Sequence, residues 1–194
     1  MNKIVVFASG SGTNFQAVID SIRSGNLQAE IAGLIADRKR NMAIERAKRH
    51  KIPVEIIPAE PSDTFSIRLL TQLKRWDPDL IVLAGYLKKI PDRIVSIYRR
   101  KIINIHPALL PKHGGKGYYG LKVHQAVLDS NDKETGCSVH YVDEEYDRGP
   151  VIGRRIVPVY SSDDAESLAK RVLKAEHQLL PAVIKKIFQQ NRNQ

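Results

Sequence analysis

The sequence predicts an α/β protein with a Rossmann-like, doubly wound, mostly parallel sheet and an added antiparallel or mixed edge near its C-terminal end. Two observations predict this fold class. From Lys3 to Ile105, short apolar runs alternate with segments of helical periodicity, which is typical of right-handed βαβ units. Further along, two strand-like runs follow one another with no helix between them, so we expect them to pair antiparallel or in a mixed edge.

The first βαβ unit sets the pattern for the N-terminal part of the chain. Residues 3–8 form an apolar run typical of a buried parallel strand, and residues 13–24 carry apolar side chains at helical spacing before Gly25. The alternation continues with predicted strands at 31–36, 54–57, 79–84 and 101–105, and with predicted helices at 42–51 and 64–76.

The C-terminal part departs from this alternation. We predict a helix at 119–128, strands at 136–142 and 151–159, and a final helix at 163–189. Asp163 and Glu166 resemble a capping box for that helix, and Pro181 is expected to kink or split it. Because no linker, repeat or low-complexity segment interrupts the chain, residues 1–194 are expected to form a single domain.

Composition narrows the class of protein. No apolar run reaches the ~18 residues that a membrane helix needs, and the run after Lys3 is too short for a secretory signal. Cys137 is the only cysteine, which excludes an intramolecular disulfide and a cysteine metal cluster and favours a cytoplasmic location. The net charge of +10 attracts polyanions, but the basic residues are scattered and not interleaved with aromatic ones, so a phosphorylated small molecule is favoured over nucleic acid.

The loop between the first strand and the first helix is rich in glycine, with the sequence Ser-Gly-Ser-Gly-Thr-Asn at 9–14. Glycines allow a close backbone approach, and a helix N-terminus offers free N–H groups to a phosphate. Phe15 stands where a dinucleotide fingerprint would have its third glycine, so the loop favours a single phosphate. A tight strand-to-helix turn without a ligand is the structural alternative.

Asn104 and His106 lie on one face at the end of the fifth predicted strand, where open α/β sheets place their sites. Imidazole serves as a general acid or base near neutral pH, and an amide stabilises a developing oxyanion. Asp147 lies in a turn between the last two strands; if folding brings it beside His106, it should raise the pKa of that imidazole. A polar pair that only caps a strand, and an Asp that only suits a turn, are the alternatives. His140 is expected to be a packed core histidine, and no side chains show metal-ligand spacing.

Five segments in order resemble the phosphoribosylglycinamide formyltransferases, a family of folate-dependent enzymes. These are SGSGTN at 9–14, LAGYL at 83–87, NIHPALLP at 104–111, SVHYV at 138–142 and DRGPVI at 147–152. The resemblance runs from Lys3 to about Ile187 and implies the formyltransferase fold, small-molecule substrates and 10-formyltetrahydrofolate as co-substrate, with no metal. The resemblance is also compatible with a homodimer.

The resemblance also implies roles for matching positions. His106 would donate a proton, Asn104 would stabilise the oxyanion, Asp147 would orient His106, and Ser138 would assist through an ordered water. The remaining positions divide between the two substrates: Gly12, Thr13, Asn14, Gly85, Pro107 and Glu176 for the ribonucleotide, and Leu87, Lys88, Lys89, Ile90, Asn104 and Val142 for the folate.

Some positions depart from the family pattern. Lys88 stands where many members carry Arg; Lys keeps the charge but lacks the planar guanidinium group. Ser62 falls near a position that is often basic and contacts folate in the family. Arg148 replaces a residue that is usually small. The segment 113–120 is longer and richer in glycine than the common form and is expected to be a mobile loop near the site.

Three rival functions stay open from sequence. Methionyl-tRNA formyltransferase shares the Asn-His-Asp set, and the charge fits tRNA, but that family usually has a further C-terminal domain and lacks the 10–14 loop. Formyltetrahydrofolate hydrolase is similar but usually carries an extra N-terminal domain. A catalytically silent nucleotide-binding or RNA-binding module is the third, and the retained Asn104, His106 and Asp147 argue against it.

Overall fold

The computed structural model describes residues 1–59 and 63–191, so Ser62 lies outside the described residues. The strands are β1 (Asn2–Ala8), β2 (Ala29–Ala36), β3 (Val54–Ile56), β4 (Leu80–Leu83), β5 (Ile102–His106), β6 (Glu134–Tyr141) and β7 (Val151–Pro158). The helices are α1 (Thr13–Arg23), α2 (Met42–Arg49), α3 (Asp63–Trp76), α4 (Asp92–Ile97), α5 (Leu121–Asp129) and α6 (Ala165–Asn191). None of these helices is long and apolar enough to cross a membrane.

The strands form one sheet in the order β3-β2-β1-β4-β5-β6-β7. Strands β1 to β5 are parallel, β6 runs antiparallel to β5, and β7 runs antiparallel to β6. The predicted fold class is therefore confirmed, including the antiparallel edge. The strand order reverses between β1 and β4, and a reversal of this kind opens a crevice at the carboxyl ends of the strands.

Each face of the sheet carries its own core because strand side chains alternate between faces. Ile4 and Val6 of β1 pack on one face, together with apolar residues of α1 and α6. Val5 and Phe7 pack on the other face with residues of α3 and α4. Two-sided burial explains why the N-terminal strands are continuous apolar runs rather than alternating ones.

Helix α6 is not split at Pro181, and its N-terminal cap differs from the predicted one. It is continuous through Pro181, which is itself buried, because the apolar residues that flank the proline pack onto the sheet and offset the lost hydrogen bond. Its N-terminus is capped by Asp164 and Ser167, whose side chains each accept from the other's backbone N–H. Asp163 instead forms a bidentate ion pair with Arg171. The predicted Asp163–Glu166 capping box was therefore wrong, because both of its members lie one residue further along the chain.

Candidate active site

A cavity of about 870 Å³ opens at the carboxyl ends of β1, β4 and β5. Its lining includes both ends of the predicted site, the glycine-rich loop and the NIHP segment. The sequence-predicted residues that line it are Gly12, Thr13, Asn14, Gly85, Leu87, Lys88, Lys89, Ile90, Asn104, His106, Pro107, Val142, Asp147 and Glu176. Residues separated by more than 160 positions in the chain thus line the same cavity.

At one end of the cavity, the glycine-rich loop presents the N-terminus of α1. Gly12 is the N-cap residue in the left-handed conformation (φ +67°), and no side chain in the described part of the chain caps this end of the helix. A Cβ at Gly12 would lie 2.7 Å from the Cβ of Ala43, so only glycine fits here. The free N–H groups and the positive end of the helix dipole make this end suitable for a phosphate.

Glu176 of α6 reaches the same end of the cavity. Its carboxylate Oε2 accepts a hydrogen bond of 3.0 Å from Asn14 Nδ2, and both side chains are buried. Burial raises the pKa of Glu176 to about 7, despite the opposing effect of the Asn14 hydrogen bond. The carboxyl group can therefore be protonated or ionised near neutral pH.

This raised pKa predicts a pH-dependent stability. Between pH 4.5 and about 7 the unfolded chain gives up the Glu176 proton while the folded protein keeps it, so the contribution of Glu176 to the free energy of unfolding falls as pH rises through this window. The loss should be on the order of 3 kcal/mol and should be absent in Glu176→Gln. Urea unfolding at pH 4.5 and 7.5 measures it, with the exposed Glu166→Gln of the same helix as control. A wild-type pH dependence equal to that of Glu176→Gln would contradict the assignment.

At the other end of the cavity, folding brings His106 and Asp147 together. His106 ends β5 and is buried, and its Nδ1 lies 3.5 Å from Asp147 Oδ2. Asp147 has a left-handed backbone (φ +57°) in the β6–β7 turn. Gly149 packs so closely there that a Cβ would lie 1.8 Å from the carbonyl oxygen of Tyr141. The turn that carries the carboxylate is therefore held tightly against the end of β6.

The protonation of His106 follows from its partners. Its Nε2 lies 2.8 Å from the carbonyl oxygen of His113, which can only accept, so Nε2 carries a hydrogen and Nδ1 faces Asp147. Asp147 raises the pKa of His106, as expected, but it does not set the net direction of the shift. Burial, together with smaller contributions from His140 and the His113 ring, lowers the pKa of His106 more than Asp147 and the His113 carbonyl raise it, so the ring is mainly neutral at pH 7 without a ligand. Because Asp147 stabilises the protonated ring, the pKa of His106 is higher than burial alone would make it.

Asn104 lies between Asp147 and His140. Its Nδ2 is 3.3 Å from Asp147 Oδ1 and 3.1 Å from His140 Nε2. His140 Nδ1 donates to the carbonyl oxygen of Tyr141 at 2.8 Å, and its Nε2 faces both the Asn104 amide and Asp147 Oδ1, which lies 3.4 Å away. His140 is buried, as predicted, but it orients Asn104 from inside the site. The β5–β6 register places it directly opposite Asn104.

The carboxyl of Asp147 is also held in its ionised form. Burial raises its pKa, but the imidazoles of His140 and His106 and the N–H of Gly115 outweigh burial and hold the pKa below its usual range. The Gly115 N–H donates to Oδ2 at 2.9 Å. A carboxylate next to a mainly neutral imidazole favours proton uptake by that imidazole.

Ser138 does not line the cavity with the other predicted residues. Its hydroxyl is fully buried, donates to the carbonyl oxygen of Ala108 at 2.7 Å and accepts from the N–H of Leu110 at 3.0 Å. This arrangement holds the turn that follows His106 and does not fit the expected action through a water on the reacting groups.

Sequence reasoning missed several residues near His106. His113 and Gly115 contact the His106–Asp147 pair through their backbones, and His124 of α5 is buried and lines the cavity. His140 could have been found only from the β5–β6 register, which the sequence does not specify. Within residues 1–59 and 63–191, no group of three or more His, Cys, Asp or Glu side chains could hold a metal ion.

Positions that depart from the family pattern lie at the edge of this site. Lys88 is exposed and lines the cavity, and the neighbouring Lys89 pairs with Asp92 at 2.7 Å. Residues 115–120 of the glycine-rich segment also line the cavity, while Arg148 is exposed.

A family model described as Formyl transferase matches residues 2–184. The phosphoribosylglycinamide formyltransferase of Bacillus subtilis is 37% identical over 191 residues, which cover 97% of this chain and 95% of that relative. The chloroplastic phosphoribosylglycinamide formyltransferase of Vigna unguiculata is 40% identical, but this chain spans only 61% of its length. The crystal structure of glycinamide ribonucleotide transformylase 1 from Geobacillus kaustophilus matches with a TM-score of 0.89 and 41% identity, covering 96% of this chain and 98% of that one. The chain belongs to the formyl transferase family.

Proposed function

We propose that this protein transfers the formyl group of 10-formyltetrahydrofolate to the amine of glycinamide ribonucleotide, as the names of its relatives imply. The observation that carries the proposal is one cavity with an anion-binding helix N-terminus at one end and the His106–Asp147–Asn104 group at the other. The phosphate of the phosphorylated amine needs the helix N-terminus, and transfer from the formyl donor needs the His106–Asp147–Asn104 group.

The ribonucleotide lies at the glycine-rich loop. Its phosphate accepts from the N–H groups of Gly12, Thr13 and Asn14. The Glu176 carboxyl, held by Asn14, interacts with polar groups of the same substrate, and Gly85 and Pro107 line the path to the reacting amine. The folate lies on the opposite side, against Leu87, Lys88, Lys89, Ile90 and Val142.

The reaction is a direct acyl transfer. The neutral amine attacks the formyl carbon, and the oxygen of the tetrahedral intermediate accepts from Asn104 Nδ2 and from the protonated form of His106. Because Nε2 of His106 is engaged by the His113 carbonyl, Nδ1 takes up the proton that the attacking amine loses, and Asp147 stabilises the imidazolium that results. Nδ1 then gives this proton to the folate nitrogen as the bond between that nitrogen and the formyl carbon breaks. We assign Ser138 no part in this chemistry. The single-domain organisation of residues 1–194, the cytoplasmic location and the homodimer stay predictions.

A formyl-transfer assay with separate acceptors tests the proposal. We expect transfer to glycinamide ribonucleotide and none to methionyl-tRNA at equal protein concentration. Formate release without an acceptor would instead favour the hydrolase, and salt-dependent RNA binding without any transfer would favour a binding module. Transfer to the tRNA alone would overturn the assigned acceptor.

A further inference from the structure

Residues 113–115 contact both ionisable members of the site through their backbone. The His113 carbonyl oxygen lies 2.8 Å from His106 Nε2, and the Gly115 N–H donates to Asp147 Oδ2 at 2.9 Å. A backbone shift of this short segment would therefore change the hydrogen bonding of His106 and Asp147 together.

The segment is tightly packed and has an unusual backbone. His113 is left-handed at φ +54°, and Gly115 has φ +99°. A Cβ on Gly114 would lie 2.3 Å from Leu110 Cδ2 and 3.3 Å from Asp147 Cβ. A left-handed conformation costs energy for a residue other than glycine, and it persists only when the surroundings hold it.

The side chains of His113 and Asp132 form a pair outside the cavity that anchors this segment. The largely buried His113 imidazole places Nε2 2.8 Å from Asp132 Oδ2, and Lys112 Nζ contacts Asp132 Oδ1. Asp132 lies in the short connection between α5 and β6, 19 residues beyond His113. Asp132 is absent from the lining of the main cavity and belongs to a separate surface pocket, so it has no direct route to a substrate.

We propose that His113 and Asp132 are positioning residues, whose side-chain pair holds the 113–115 turn so that the His113 carbonyl keeps the His106 proton on Nε2 and leaves Nδ1 to act. The inference rests on the proposed function for its kinetic consequence, but the hydrogen bond that it describes belongs to the protein alone. The pair acts through the backbone, and neither side chain touches the reacting atoms.

The test compares Asp132→Ala with Asp129→Ala, a matched exposed acid at the end of α5 that contacts only Gln125 among the hydrogen bonds of the described residues. Asp132→Ala should lower kcat about tenfold with both KM values unchanged within about twofold, because a small misplacement of a catalytic group has effects of this order or more. Asp129→Ala should match wild type.

Nitrogen-15 NMR of histidine-labelled, ligand-free protein at pH 8 supplies a readout that does not depend on activity. Wild type should show His106 protonated on Nε2 alone, with slow exchange of that proton. Asp132→Ala should show a mixture of tautomers or faster exchange of the Nε2 proton. An unchanged His106 signal in Asp132→Ala would overturn the inference even if kcat fell.

A second variant covers poor folding of Asp132→Ala. His113→Asn tolerates the left-handed backbone but is too short to reach Asp132 in the same way, and it should reproduce both the kinetic and the NMR change. Wild-type protein that shows the Nε2 signature without transferring formyl groups would count against the proposed function and leave the positioning contact standing.

Discussion

His106→Ala is expected to slow formyl transfer by about a hundredfold or more, because it removes both a donor to the oxyanion and the proton carrier at the reacting carbon. The imidazole is buried, its Nε2 is fixed by the His113 carbonyl and its Nδ1 faces Asp147. Steady-state rates with glycinamide ribonucleotide and 10-formyltetrahydrofolate measure the effect. The loss should fall on kcat more than on either KM.

The control for this substitution is His177→Ala. His177 is a partly buried histidine that follows Glu176 on α6 and is not among the residues that line the cavity. Its substitution should leave kcat within about twofold of wild type, as expected for a side chain without contact to the chemistry. Asp147→Ala should fall in the same range as His106→Ala. Near-normal turnover by folded His106→Ala would refute the assigned role.

Gly149→Ala is expected to cost about 3 to 5 kcal/mol of unfolding free energy, in the range of severe core and backbone disruptions. The added Cβ would lie 1.8 Å from the carbonyl oxygen of Tyr141 and 2.9 Å from its carbonyl carbon. Backbone atoms cannot rotate away as a flexible side chain can, so the turn or the end of β6 must move. Because Asp147 lies two residues earlier in this turn, formyl transfer should also fall.

Urea unfolding measures the first effect of Gly149→Ala, and the transfer assay measures the second. Gly10→Ala is the matched control for stability, because a Cβ there meets no atom of residues 1–59 and 63–191 within 4 Å. Its unfolding free energy should stay within about 0.5 kcal/mol of wild type. A Gly149→Ala protein as stable and active as wild type would show that the turn can relax without displacing Asp147.

The local part of the fold was predictable because it depends on short-range periodicity. The alternation of apolar runs and helical segments predicted the parallel strands, and the two adjacent strand-like runs predicted the antiparallel edge. The short helix α4 (Asp92–Ile97) was missed, since six residues carry little periodic signal. Of the two outcomes expected at Pro181, a kink or a split, the split does not occur, because the packing of α6 on the sheet keeps the helix continuous.

The sequence by itself determined the parallel α/β core, the glycine-rich turn before α1 and the shared face of Asn104 and His106, because each depends on the geometry of neighbouring residues. Only the tertiary structure decided that Asp147 lies 3.5 Å from His106, that His140 lies opposite Asn104 and that His113 and Asp132 stand behind the site. It also decided the direction of the His106 pKa, since burial depends on everything packed around the ring and outweighs the one nearby carboxylate. Contacts between distant segments depend on strand register and desolvation, which local patterns do not specify.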